Sequence, residues 1–248
     1  MNITISAYKK KKFKKTGYIK YQKFLTKNFV NKLVLEIENS KDTIKYYDNS
    51  NNLRRIEKIY DKGFQLKLLN KKISEFLYNF LNKKFLIFKD KFNAKPPGGE
   101  GFFAHYDGIF NFINKNYKKK NGWYEYGDYF ISVLIALDKC NHENGTIEIG
   151  RSHNGNFNEL LKNTKNDGTP ALTKEVESKT LFDPIDLNIG DILIFLNTCP
   201  HRSKKNLSKK NRRILYYTYT LEKYGSKYKK YFEDKKDSMN PSKALTEK

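Results

Sequence analysis

Residues 190–219 read GDILIFLNTCPHRSKKNLSKKNRRILYYTY, and they decide the fold. Two runs rich in β-branched, aliphatic and aromatic residues, DILIFL (191–196) and RILYYTYTL (213–221), flank a polar stretch. Such runs bounded by turn residues read as strands. Ile189-Gly190-Asp191 is the turn that feeds the first of them. Working upstream, LIFKDKFNAK (86–95), YFISVLIAL (129–137) and GTIEIG (145–150) carry the same signature. Before residue 85 the pattern changes. Thr26 caps a helix whose apolar positions are Phe29, Val30, Leu33, Val34 and Ile37, and Tyr18 to Phe24 suits a short strand. Ile73, Phe76, Leu77, Phe80 and Leu81 recur at helical spacing and form one buried stripe. Residues 40–52 read as a polar loop. Helices followed by many strands predict an α+β protein with a β-sandwich or barrel core and flanking N-terminal helices. No repeat or Gly/Ser linker divides the chain. A single domain over residues 1–248 is expected, with its core at about 85–222. After about 225 a charged tail is expected to wrap the surface and fray at its end.

The 248 residues carry 49 Lys+Arg against 27 Asp+Glu, a formal charge of +22, yet 15% are aromatic. That aromatic content is too high for a disordered chain. No run of 18 apolar residues exists, so no membrane-spanning helix is expected. The N-terminus lacks the apolar segment and cleavage site of a secretory signal. Two cysteines, Cys140 and Cys199, make no disulfide framework, and a reducing, cytoplasmic setting is expected. The charge invites a nucleic-acid reading. However, only six of the 49 basic residues are arginine, the side chain that reads bases bidentately, and the lysines are spread along the chain. The excess is read as a solvated lysine surface, with no specific nucleic-acid partner.

Four histidines are present, and two sit in informative places. His105-Tyr106-Asp107 follows the Pro/Gly-rich KPPGGEGFFA. Residues two apart on an extended segment share a side, so an imidazole and a carboxylate can meet one point. His201 follows the strand DILIFL and a short turn. Two histidines and a carboxylate on one face of a metal leave open positions opposite, the facial triad of non-haem Fe(II) oxygenases. A His-x-Asp alone is a weak signal. Eleven residues beyond His201 comes Arg212, opening a β-like segment, and Ser203 adds a hydroxyl two residues after His201. An open-sided metal with an Arg nearby suits a 2-oxo acid, chelated at its keto-acid end and paired to Arg at its distal carboxylate. Arg213 could serve as well, since neighbouring strand residues face opposite ways.

With these residues in place the chain resembles the phytanoyl-CoA dioxygenase (PhyH-like) group of Fe(II)/2-oxoglutarate-dependent oxygenases. The resemblance runs over roughly residues 15–235. It is carried by GYIKYQKFLTKNFVNKLVLEIEN, KFNAKPPGGEGFFAHYDG, VLIALDKCNHENGTIEIGRSHNG and GDILIFLNTCPHRSKKNLSKKNRRILYYTY, in that order. It implies a double-stranded β-helix (jelly-roll) with helices on one side. It also implies Fe(II) held by His105, Asp107 and His201, and 2-oxoglutarate held by Arg212 with Ser203 assisting. Asn93 matches a cosubstrate-binding position of some members, and Lys91 a substrate-contacting one. The family's Pro-Gly-Ser-His turn departs here to Ile149-Gly150-Arg151-Ser152-His153. Related halogenases have a small residue in place of Asp107, so the carboxylate implies hydroxylation.

The expected activity is therefore hydroxylation of a small-molecule substrate by O2, with release of succinate and CO2. Lys91, Lys95 and Arg151 would make the pocket mouth positive, which favours a small anionic or zwitterionic metabolite such as an amino acid or phosphonate. The family name leaves an acyl-CoA open, and the C-terminal ALTEK shows no peroxisomal address. Trp123, in the aromatic loop NGWYEYGD, is a candidate substrate wall or lid. His153 is read as structural within its turn, and His142 as solvated. The alternatives are a jelly-roll nucleic-acid demethylase and a non-catalytic binding module.

Overall fold

The computed structural model describes residues 5–238 and 246–247. Its helices are α1 (Ala7–Thr16), α2 (Lys27–Glu38), α3 (Phe64–Leu81), α4 (Phe157–Leu161), α5 (Lys174–Lys179) and α6 (Tyr228–Ser238). The first seven strands are β1 (Tyr18–Tyr21), β2 (Ile44–Tyr47), β3 (Leu53–Glu57), β4 (Phe85–Lys95), β5 (Phe102–His105), β6 (Phe112–Ile113) and β7 (Lys119–Lys120). They are followed by β8 (Phe130–Ala136), β9 (Ile147–Ile149), β10 (Asp183–Pro184), β11 (Ile192–Leu196), β12 (His201–Ser203), β13 (Arg212–Leu221) and β14 (Thr246–Glu247). A large sheet runs β1-β11-β8-β13-β4-β3-β2-β14, and a smaller one runs β10-β9-β12-β5. All the pairings are antiparallel. The fold is α+β with a jelly-roll core.

Strand alternation explains how the two sheets and the helices share one chain. Ile131, Val133 and Ile135 of β8, Ile192 and Ile194 of β11, and Leu215, Tyr217 and Tyr219 of β13 point one way. They pack on Val30, Leu33 and Ile37 of α2 and Leu66, Leu69, Ile73 and Leu77 of α3. The intervening Leu134, Ala136, Leu193, Phe195 and Ile214 point the other way, onto Ile147 and Ile149 of β9. Its strands β8 and β11 are thus largely apolar on both faces, one covered by helices and one by the small sheet. This is why β8 and β11 read as continuous apolar runs rather than alternating ones.

Thr26 caps α2 as expected, its hydroxyl accepting from the Phe29 amide at 3.3 Å. Gly190 makes the turn before β11 with φ +83, and a side chain there would strike the Leu25 carbonyl. Two expectations need correction. Residues 40–52 are not all loop, because Ile44–Tyr47 forms β2 and pairs with β3. The period-two signal there is too short to rise above its polar flanks. Nor is the charged tail short of core residues. Residues 228–238 form α6, and its Tyr231 and Phe232 are buried against Phe88, Trp123 and Phe130. The three aromatics Tyr228, Tyr231 and Phe232 stand at helical spacing inside a lysine-rich stretch that hides them. Fraying of the extreme end was expected of residues that lie largely outside those described. No described helix is long and apolar enough to cross a membrane.

Candidate metal centre

The small sheet positions both histidines. β12 pairs with β5 so that His201 lies directly opposite His105, their ring centroids 4.2 Å apart. Asp107 follows β5 immediately. One ligand atom from each of His105, Asp107 and His201 lies within 4.8 Å of the others. His105 Nδ1 donates to the Phe103 carbonyl (2.9 Å) and His201 Nδ1 to the Cys199 carbonyl (3.1 Å). A carbonyl only accepts, so each Nδ1 carries the proton and each Nε2 keeps a free lone pair. The Asp107 backbone is tied at both ends to Asn197, whose carbonyl accepts from the Asp107 amide and whose side-chain amide donates to the Asp107 carbonyl. Its Oδ2 accepts from the Ser132 hydroxyl (3.1 Å), which also meets Thr218 at 3.1 Å.

The charge states suit a divalent metal. Burial pushes both imidazoles below the usual histidine range, so they stay neutral. Burial alone would raise Asp107, but its electrostatic interaction with the groups around it, the His201 imidazole first and then Lys91 and Lys89, outweighs that and holds its carboxyl low. One carboxylate and two neutral imidazoles are the donor set that Fe(II) accepts in a facial triad.

From the triad a cavity of about 40 Å³ runs along the sheet. His105 and His201 line it together with Arg212, Ser203, Lys91, Asn93 and Tyr216. Phe102 is shared with a wider cleft of about 530 Å³ between residues 48–54 and the Pro96–Gly101 loop. Register explains the wall. β13 pairs Arg212 with Lys95, Ile214 with Asn93, Tyr216 with Lys91 and Thr218 with Lys89. Alternate residues on both strands therefore face inward together. Arg212 is buried, and its Nη1 donates to the Gly145 carbonyl at 3.2 Å, while its Nε has no partner. Gly145 adopts φ +68 against the Lys204 carbonyl, a place where a side chain would clash. Lys95 Nζ donates to Ser203 Oγ (2.9 Å) and to the Lys204 carbonyl (2.5 Å). Burial, and then Arg212, push the Lys95 amine down to about 7. Arg213 faces the other way and grips Asp138 at 2.9 Å and Glu38 at 3.0 Å.

The sequence-named residues fall as follows. Asn93 Oδ1 is buried without a partner on the cavity wall. The Lys91 ammonium lies 4.7 Å from the Tyr216 ring centroid. Trp123 does not line the cavity, contrary to its reading as a substrate wall. It is buried among Phe88, Tyr126 and Phe130, under the ammonium of Lys89 at 4.6 Å. Gly108 (φ +76) lies so close to the indole that any Cβ would collide with it, so the loop carries a packed ring. Arg151 is exposed and is not on the cavity wall. His153 hydrogen-bonds the Tyr106 hydroxyl, and His142 meets Lys204 at 3.4 Å on the surface. Both cysteines are free and buried. Sequence reasoning missed Ser132 and Thr218 behind Asp107, Tyr216 on the wall, and Lys89 and Arg55, which do not line the cavity but whose charge is felt at Lys91. Polar residues at alternate positions of otherwise apolar strands, as in FISVLIA and LYYTYT, were the available signal.

The residues present fit both a metal and a dicarboxylate. The triad supplies the donors, and the unpaired Arg212 Nε supplies a buried N–H in need of an acceptor. Fold and site together define a non-haem Fe(II)/2-oxoglutarate-dependent dioxygenase. The chain belongs to the phytanoyl-CoA dioxygenase (PhyH) family, whose model matches residues 13–214. It is 29% identical over 206 residues to a 2-aminoethylphosphonate dioxygenase from the uncultured bacterium HF130_AEPn_1, covering 80% of this chain and 72% of that one. It is 27% identical over 253 residues to a methylphosphonate hydroxylase from Gimesia maris, covering 96% and 90%. Among solved structures it is similar in fold to EctD from S. alaskensis with bound Fe, with a TM-score of 0.66 at 18% identity. That match covers 88% of this chain and 77% of the other.

Proposed function

We propose that the protein hydroxylates a small phosphonate-like metabolite, with 2-oxoglutarate and O2 as cosubstrates and succinate and CO2 as coproducts. In this reading His105, Asp107 and His201 hold Fe(II), and Arg212 takes the distal carboxylate of 2-oxoglutarate with Ser203 and Asn93 beside it. The carrying observation is that both histidines of the triad and Arg212, with its unpaired Nε, line one cavity. Bound there, Fe(II) and 2-oxoglutarate supply the O2 activation needed to oxidise a C–H bond. The chain contributes position and charge. Ser132 and Asn197 fix the Asp107 carboxylate, and the strand carbonyls fix both imidazole tautomers. Lys95 keeps Ser203 in place, the Gly145 carbonyl holds Arg212, and Phe102 lies where substrate passes from the wider cleft.

The phosphonate assignment is supported by the activities that name the two relatives and by Lys91 on the cavity wall. No observation at the site favours the demethylase or the non-catalytic alternative. The test is succinate formation with Fe(II), 2-oxoglutarate and a panel containing 2-aminoethylphosphonate, methylphosphonate, their carboxylate counterparts and an oligonucleotide. A phosphonate should stimulate turnover and appear hydroxylated. Stimulation by the oligonucleotide alone, or no 2-oxoglutarate turnover under any condition, would overturn the reading.

A further inference from the structure

Five cations crowd the inner face of the large sheet near the iron site: Arg55 of β3, Lys89, Lys91 and Lys95 of β4, and Arg212 of β13. Most of them can be matched to a partner. Arg212 and Lys95 flank the end of the cavity assigned to 2-oxoglutarate. Lys89 lies over the rings of Trp123 at 4.6 Å and Tyr231 at 5.4 Å, and its charge bears on Asp107. Lys91, whose charge also bears on Asp107, lines the cavity, and Arg55 reaches only Glu57, at 3.7 Å. Buried or half-buried cations near one another repel, and such an arrangement persists where an anion completes it.

Arg55 is built to wait for that anion. β3 pairs with β4 so that Arg55 lies directly beside Asn93, whose side chain is on the cavity wall. The guanidinium is 3.7 Å from Glu57 and lies over the Tyr46 ring, and only 11% of its side chain is exposed. Lys235 from α6 holds Glu57 Oε2, and Glu57 Oε1 faces Arg55 across 3.7 Å, beyond hydrogen-bond length. The Arg55 Nε is buried with no acceptor, and the neighbouring Asn93 Oδ1 is buried with no donor. The Arg55 charge is felt at both Lys91 and Tyr216, two residues that line the cavity.

We infer that Arg55, with Lys91, forms the subsite for the anionic head of the substrate, and that the two cations select a doubly charged tetrahedral oxyanion over a carboxylate. This rests on the hydroxylase reading above and names the residue that sets its specificity. The guanidinium fork gives two directed hydrogen bonds, and the ammonium gives a point charge beside them. Two positive charges match a phosphonate dianion and leave a monocarboxylate one charge short.

The test is calorimetric titration of ethylphosphonate and of propionate into the full-length protein loaded with Mn(II) and 2-oxoglutarate. The wild type should bind ethylphosphonate more tightly than propionate. Arg55→Gln should weaken ethylphosphonate roughly thirty-fold or more, by analogy with loss of a buried charge partner. Its affinity for 2-oxoglutarate should stay unchanged. Arg55→Lys keeps the charge and guards against a folding defect, and it should recover part of the lost affinity. A wild type that prefers propionate, or an Arg55→Gln protein that binds ethylphosphonate as well as wild type, would overturn the subsite. Weakened 2-oxoglutarate binding in Arg55→Gln would assign Arg55 to the cosubstrate instead. Succinate formation by the wild type reports separately on the hydroxylase reading, so the two failures are distinguishable.

Discussion

Arg212 and Arg213 are neighbours in sequence and occupy opposite faces of β13. Arg212 is buried with an unpaired Nε, while Arg213 is committed to Asp138 and Glu38. Replacing Arg212 with Ala should weaken 2-oxoglutarate binding by roughly 2–5 kcal/mol, the cost of truncating one partner of a buried charge pair. Arg213→Ala should leave that affinity unchanged and lower only stability, as unfolding and titration of the two variants will show. Lys95 gives a pH prediction. Its amine sits at about 7 in the fold against 10.5 when free, so the folded state binds fewer protons between those values. Stability should therefore rise with pH across about 7 to 10, by up to about 1.4 kcal/mol per pH unit from this one group. The penalty is full below 7 and relieved above it. Lys95→Met should flatten that slope in denaturant midpoints measured over the window, and an unchanged slope would refute the buried cation. At this scale the triad was legible because its chemistry demands rare residue types at fixed positions. Ser132, Thr218 and Arg55 were not, because their roles depend on which strands become neighbours.

Among the elements, those with long apolar periodicity were readable: α2, α3, β4, β8, β11 and β13 all correspond to patterns in the sequence. The elements hidden by charge were not. α1 is a helix of lysines capped by Ser6 that buries only Phe13 and Thr16, so its sequence shows almost no apolar face. α6 is the more consequential miss. Tyr228 donates to Asp90 at 2.9 Å, Tyr126 donates to Asp234 at 2.7 Å, and Lys235 pairs with the buried Glu57. Tyr231 and Phe232 complete the aromatic cluster that holds Trp123, and through it Lys89, beside the metal site. Phe232→Ala should cost roughly 3–5 kcal/mol of stability, the range for emptying a buried aromatic position. Urea denaturation will measure it, and a loss below about 1 kcal/mol would mean that α6 is not part of the core.

For the whole molecule, the charge of +22 divides into two populations. Many lysines are exposed on helices, as at α1 and α6, or sit in weak surface ion pairs such as Lys71–Glu75 and Lys179–Glu175. A smaller group is turned inward around the cavity. The outer population should bind DNA or RNA weakly, without sequence preference, and release it as salt rises, because only counterion release drives such binding. A tight, sequence-selective complex in a gel-shift at physiological salt would contradict that. Composition could show the charge but not its division, which follows from strand pairing between β3, β4 and β13. The central claim is that three side chains brought together by β5, β12 and the turn after β5 form one metal centre. Calorimetric titration of Mn(II), an O2-inert stand-in for Fe(II), into wild type and Asp107→Ala tests it most directly. The account predicts one site per wild-type chain and a sharp loss of affinity in the variant, and equal affinity in the two proteins would contradict it.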